Sequence, residues 1–90
     1  RLYRQDPGAA PRPITPQTAY RYADGVVDRG RGRMVCVRED HSQSDREAIN
    51  TLVSLSLNGD GAMDMLVSGN DFYASPRLSP DTSHMAWLTW

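Results

Sequence analysis

Few side chains in this 90-residue chain are of a kind that does chemistry. The histidines are His41 and His84, the one cysteine is Cys36, and the serines are Ser42, Ser44, Ser54, Ser56, Ser68, Ser75, Ser79 and Ser83. A nucleophilic serine in an α/β-hydrolase sits in a Gly-x-Ser-x-Gly elbow between strand and helix, with a histidine as base. No such elbow is present, and neither histidine can be paired with a serine from the sequence, so no catalytic residue is assigned. Cys36 lies within the apolar run Met34-Val35-Cys36-Val37 and is expected to be a buried small hydrophobe. Asn58-Gly59-Asp60-Gly61-Ala62-Met63-Asp64 offers oxygen ligands at alternate positions, as a calcium loop does. The position that needs a bidentate glutamate is Gly69, so a hairpin turn is expected there and no metal site. Arg29, Arg31 and Arg33 form a small basic cluster interrupted by glycines, either a solvated loop or an anion site. Glu39 and Asp40 are the candidate binding residues, because a carboxylate beside an ammonium group makes a strong charge-assisted contact. Neighbours in a strand point to opposite faces, so the two converge only where the strand has ended. Otherwise they are solvated strand-exit charges that pair with Arg38 or Arg46.

The elements that must position these residues read as strands. Arg1 to Gln17 carries Pro7, Pro11, Pro13 and Pro16 and is expected to be a loop, since proline fixes φ and removes a ladder donor. Leu2-Tyr3-Arg4 resembles the tail of a strand. Tyr20–Asp28 is aromatic and β-branched. After the loop Arg29-Gly30-Arg31-Gly32, whose glycines are free to take positive φ, the run Met34–Val37 has the look of a strand covered on both faces. Arg38 to His41 reads as its polar exit. Residues 42–48 form a polar connection in which Ser44 and Glu47 fit a capping box. Thr51–Leu57 alternates, with Val53, Leu55 and Leu57 on one face and Ser54 and Ser56 on the other. Asn58-Gly59 and Asp60-Gly61 are hairpin signals, and Met63, Met65 and Val67 alternate on the far side. Phe72 to Asp81 is a strand closed by a turn, and Met85 to Trp90 is another strand. No segment has the sustained spacing of a long amphipathic helix, so the fold class is all-β.

Composition narrows the function classes. Ten arginines, with no lysine, face eleven acidic residues, for a net charge of −1. That balance excludes a nucleic-acid binder that relies on bulk positive charge. No apolar run approaches the ~18–20 residues that cross a bilayer, and no signal peptide is visible. A single cysteine cannot form an internal disulfide and fits a reducing, cytoplasmic compartment. No cofactor is expected. The chain opens on Arg1 and stops at Trp90 within an apolar run, so both ends read as cut.

A repeat underlies the strands. The cores Met34-Val35-Cys36-Val37 and Met85-Ala86-Trp87-Leu88 stand one period apart, with four strands per period, and that is the size of a β-propeller blade. The expected architecture is an antiparallel four-stranded blade with parts of its neighbours. Residues 1–19 would be the end of a preceding blade and a proline-rich linker, 20–70 one complete blade, and 71–90 the first strands of the next. A lone blade has open edges and should fold poorly by itself, or self-associate.

Cys36-Val37-Arg38-Glu39-Asp40-His41, Gly69 to Asp81 and Met85-Ala86-Trp87-Leu88-Thr89-Trp90 together resemble the N-terminal β-propeller of the prolyl oligopeptidase family of serine peptidases. The nearest look is to its bacterial dipeptidyl-aminopeptidase and acylaminoacyl-peptidase-like members, and Pro-Arg-Pro-Ile-Thr-Pro at 11–16 looks like the end of a blade in that group. Such blades usually carry Asp-Gly after Ser-Pro. Here Thr82 follows Asp81, so the turn is of another type or strained. The resemblance implies a propeller that caps an α/β-hydrolase domain lying outside this chain and limits access to small peptides. It also implies that propeller carboxylates, here Glu39 and Asp40, hold the substrate's free amine. The implied partners are the remaining blades, the hydrolase domain and peptide substrates, with no nucleic acid and no membrane. The alternative is a piece of a non-enzymatic TolB-like propeller that acts as a protein-binding scaffold. Trp87, Trp90, Phe72 and Tyr73 are expected to fill the space between blades.

Overall fold

The computed structural model describes residues 1–43 and 45–90. The capping box expected at Ser44 lies outside the described residues. The elements are β1 (Tyr3–Arg4), β2 (Arg12–Pro13), β3 (Tyr20–Asp28), a 3-10 turn (Arg29–Arg31), β4 (Arg33–Asp40), β5 (Ile49–Ser56), β6 (Met63–Val67), β7 (Tyr73–Leu78) and β8 (Met85–Thr89). Strands β3 to β6 form one antiparallel sheet in chain order, flanked by the pairs β1–β2 and β7–β8. This is the antiparallel four-stranded sheet expected of a propeller blade.

The sheet is a meander, and its first and last connections are short and carry the turn chemistry that reverses the chain. Gly32 adopts φ 62 at the end of the first connection, while Gly59 and Gly61 take φ 85 and 78 between β5 and β6. In that second turn Asn58 Oδ1 accepts from the Asp60 amide, and Asp60 Oδ1 accepts from the Ala62 amide. The loop's oxygens are spent on its own backbone, and among the described residues no side chains cluster as metal ligands.

Apolar residues on both faces of β4 and β5 make the core. On one face Cys36, Val53 and Leu55 pack with Leu2, Tyr22, Met34 and Met63. On the other Val37 and Leu52 pack with Tyr73 and Val67. The flanking pairs therefore cover opposite faces, Leu2 beside β1 on one and Tyr73 of β7 on the other. Full burial of Val35, Leu52 and Val53 follows from being sandwiched in this way. Val, Leu and Cys side chains each contribute roughly 1–3 kcal/mol when removed from water.

Two expectations change. Pro13 belongs to a strand after all, because it pairs with Tyr3 in a two-residue ladder at an edge, where a missing N–H is tolerated. Strand β4 does not exit at Arg38. It stays in register with both neighbours through Asp40, which pairs with Tyr20 and Ile49. Strand β5 has no solvent face over its centre, and Ser54 is buried because the second flanking pair lies over that side. Of the four aromatics expected to fill the space between blades, Tyr73 is buried between the two sheets it joins. Phe72, Trp87 and Trp90 are exposed, with Phe72 stacked on Trp90 at 5.6 Å.

Candidate functional site

A cleft of about 740 Å³ opens where the sheet meets the start of β7. Ala23, Val37, Phe72 and Tyr73 give it an apolar lining, and Asp24, Glu39, Glu47, Asn50, Asn70 and Asp71 a polar one. Four carboxylates and no arginine line it.

Each acidic group has a local cause for its position. Strand β3 bulges between Ala23 and Val26, and Asp24 there has φ 54, a left-handed conformation that suits aspartate better than most residues. Its Oδ2 accepts from the Ser75 amide at 3.2 Å. Glu39 stands on the same face of β4 as Val37, as strand alternation requires. Its Oε1 lies 2.9 Å from His41 Nε2. The connection 68–72 is fixed from both sides. Asn50 Nδ2 donates to the Asp71 carbonyl, the Asn70 amide donates to the Tyr73 hydroxyl, and Asn70 Nδ2 donates to Thr89 Oγ1.

The strand's continuation through Asp40 separates the two candidate carboxylates. Glu39 lines the cleft; Asp40 faces the other way and is not part of the lining. Asp40 Oδ1 accepts from the Ser42 amide at 2.9 Å. The hydrogen bonds of Ser42 hold its carboxyl below the usual carboxylate range, with smaller help from Arg38 and His41. Asp24 and Asp71 carry no local signal in the sequence, and Glu47 reads there only as part of a capping box. The signal for Asp24 was the repeat itself, which aligns Tyr22-Ala23-Asp24 with Tyr73-Ala74-Ser75.

Among the described residues no serine, cysteine or histidine lines the cleft, and its carboxylates suit it to binding. A primary ammonium group matches it, having three donors and a positive charge to set against a wall of acceptors. Elsewhere the chemical side chains are committed. Cys36 is 1% exposed, and burial pushes its thiol up to about 11. Ser83 Oγ bonds both Asp81 Oδ1 and His84 Nδ1, at 2.8 Å each. This places serine in the middle, whereas a catalytic triad needs histidine there. Arg31 and Arg33 are drawn to the carboxylate of Asp28, so the arginine cluster does not converge on a common anion site.

The fold and the cleft define a β-propeller blade with strand pairs on either side. Comparison with solved structures gives the family. A puromycin hydrolase, seen alone and as a mutant complexed with PGG, matches with a TM-score of 0.82 and 33% identity over 92% of this chain. A puromycin-hydrolyzing peptidase of Mycobacterium tuberculosis matches with a TM-score of 0.85 and 34% identity over 100% of it. The chain spans only 14% and 16% of the lengths of those proteins. No protein-family model and no curated protein matches. The chain is a β-propeller segment of the prolyl oligopeptidase-family type, as its residues suggested.

Proposed function

We propose that this chain is the non-catalytic propeller portion of a serine peptidase, gating the access of small peptides to an α/β-hydrolase domain elsewhere in the parent protein. The observation that carries this is the match, at 33–34% identity and over nearly the whole chain, to peptidases that hydrolyse puromycin. Residues 20–70 are the complete blade, 1–19 the end of the preceding one with its linker, and 71–90 the opening strands of the next. The parent's remaining blades and hydrolase domain are the partners, and the compartment is the cytoplasm. No helix among the described residues is long and apolar enough to cross a membrane.

Glu39 is the residue proposed to meet substrate, joined by Asp24 and Asp71 instead of Asp40. A free amine of a small peptide or aminoacyl compound would enter the cleft and be held by these carboxylates. Loss of one charge-assisted hydrogen bond is worth roughly 1.5–3 kcal/mol, or about ten- to a hundredfold in affinity.

The test uses the intact protein and two chromogenic dipeptides, one with a free and one with an acetylated amino terminus. Glu39→Gln is expected to raise KM for the free-amine substrate at least tenfold and leave the acetylated one unchanged. Equal effects on both substrates would remove Glu39 from amine recognition. Absence of any peptide hydrolysis by the intact protein would remove the peptidase assignment and leave the scaffold alternative.

A further inference from the structure

The turn Arg29–Gly32 at the far end of β3 holds a group that the cleft does not use. Asp28 closes β3 with its side chain wholly covered. Its Oδ2 accepts from Arg31 Nη1 at 2.9 Å and from Arg33 Nε at 3.2 Å. Burial raises the Asp28 carboxyl, and the two guanidinium groups more than offset that, so the net shift is downward. The same Nη1 of Arg31 continues to the carbonyl of Thr82 at 3.0 Å, 51 positions along the chain.

Thr82 stands in the turn that joins β7 to β8 and has φ 60. A β-branched residue in the left-handed region is a genuine outlier, held only where its surroundings over-determine it. They do so here. The Thr82 amide donates to the Ser79 carbonyl at 2.8 Å, while Asp81 Oδ1 accepts from Ser79 Oγ, from the Ser83 amide and from Ser83 Oγ. The result is a rigid turn whose carbonyl at position 82 meets the arginine.

A second contact has the same offset. The Ser75 amide donates to Asp24 across 51 positions, and Ser75 has φ 53 beside the φ 54 of Asp24. Strand β7 bulges between Ala74 and Arg77 just as β3 does between Ala23 and Val26. The two strands that touch are thus joined at equivalent positions of the repeat, once at the bulge and once beyond the strand end. The apolar cluster Val37, Leu52 and Tyr73 packs across the same seam, level with the first of these contacts.

We infer that Asp28, Arg31 and the left-handed Thr82 form a latch that fixes the β7–β8 unit to the central sheet, with Arg31 as the bridging residue and Asp28 as its anchor. Arg33 anchors to Asp28 but does not reach across, so it is not part of the bridge. The latch sets the angle of β7–β8 on the sheet and with it the width of the acidic cleft between them. The inference stands on this geometry and does not depend on what the cleft binds.

The test is hydrogen exchange on the intact protein. Arg31→Met is expected to speed exchange of the β7 and β8 amides at least tenfold, with the β4 and β5 amides unchanged. Arg33→Met, which removes the other arginine from Asp28, should leave β7 and β8 within about twofold of the parent. Equal loosening by the two variants, or none by Arg31→Met, would overturn the latch. Should Arg31→Met fail to fold, Arg31→Lys carries the test with the same two readings. It keeps the charge but lacks the planar fork that reaches two acceptors.

Discussion

Strand pairs β3–β4 and β7–β8 are one pattern used twice and treated differently by their surroundings. Both carry Tyr-Ala before a bulge, and both hold a non-glycine residue in the left-handed region at the bulge. Yet Val35, Cys36 and Val37 in the first pair are buried, while Trp87 and Leu88 in the second are 37% and 60% exposed. The residues of β8 are the larger and more apolar. What differs is the neighbour. Strand β4 lies between β3 and β5 with flanking strands on both faces, whereas β8 pairs only with β7. Burial in this fold is conferred by the adjoining strand and the adjoining sheet, and the strand's own side chains only make use of it.

The sharpest way to break that contrast is to remove a side chain at the doubly covered position. Leu52→Ala should cost about 2–5 kcal/mol, since the sandwiched site cannot collapse around the cavity. Thermal unfolding reads it, and a loss under 1 kcal/mol would mean that the two faces are not both packed. Next comes Gly25→Ala at the first bulge, where a Cβ would stand 2.8 Å from Met34 Sδ. Displacing that methionine should cost on the order of 1 kcal/mol. The equivalent position in the second pair is Pro76, so the two bulges are built alike without sharing this constraint.

A smaller effect of opposite sign is expected at Thr51, which is 3% exposed and whose hydroxyl has no hydrogen-bond partner among the described residues. Thr51→Val replaces that orphaned group by a methyl of the same shape, and should be neutral or stabilise by up to about 1 kcal/mol. Leu88→Ser should change the stability of the ninety-residue chain by less than about 0.5 kcal/mol, because that side chain is 60% exposed. In an intact propeller the same change should cost several times more, and a comparison of the two measures how much burial the adjoining strands add.

The last prediction concerns pH. Hydrogen bonds from Ser79 and Ser83 hold the Asp81 carboxyl down to about 2. A depressed carboxylate stabilises the folded turn above its unfolded value near 4 and loses that contribution as pH falls toward the folded value. The Ser83 and His84 amide resonances should therefore shift as the pH drops from about 4 to about 2. An unchanged turn at pH 2 would mean that Thr82 holds its conformation without Asp81.

The strand order, the hairpin at Asn58–Gly61 and the burial of Cys36 were all legible from alternation and turn residues, which are local signals. The strand status of Pro13 and the length of β4 were not, because partners distant in sequence decide them. Nor was the cleft. Glu39 and Asp40 are adjacent in sequence and opposite in space, whereas Glu39, Asp24 and Asp71 are far apart in sequence and share one wall. The repeat held the missing information, since aligning the two units brings Asp24 against Ser75 and Arg31 against Thr82. Thr82 was the one departure from pattern visible beforehand, and it proved to be where the backbone is strained.

The meander also shapes how the chain assembles in time. Every ladder in the central sheet joins strands that follow one another in sequence, so it can close by successive short hairpins, each on a microsecond scale. Two hydrogen bonds across the seam, to β7 and to the turn after it, each span 51 positions. Their closure entropy must be met before they give anything back, which makes them late events. The three left-handed residues at the seam, Asp24, Ser75 and Thr82, would then reach their native conformation only when the adjoining unit docks, and the docking of one unit on the next, not the formation of the sheet, would set the folding rate.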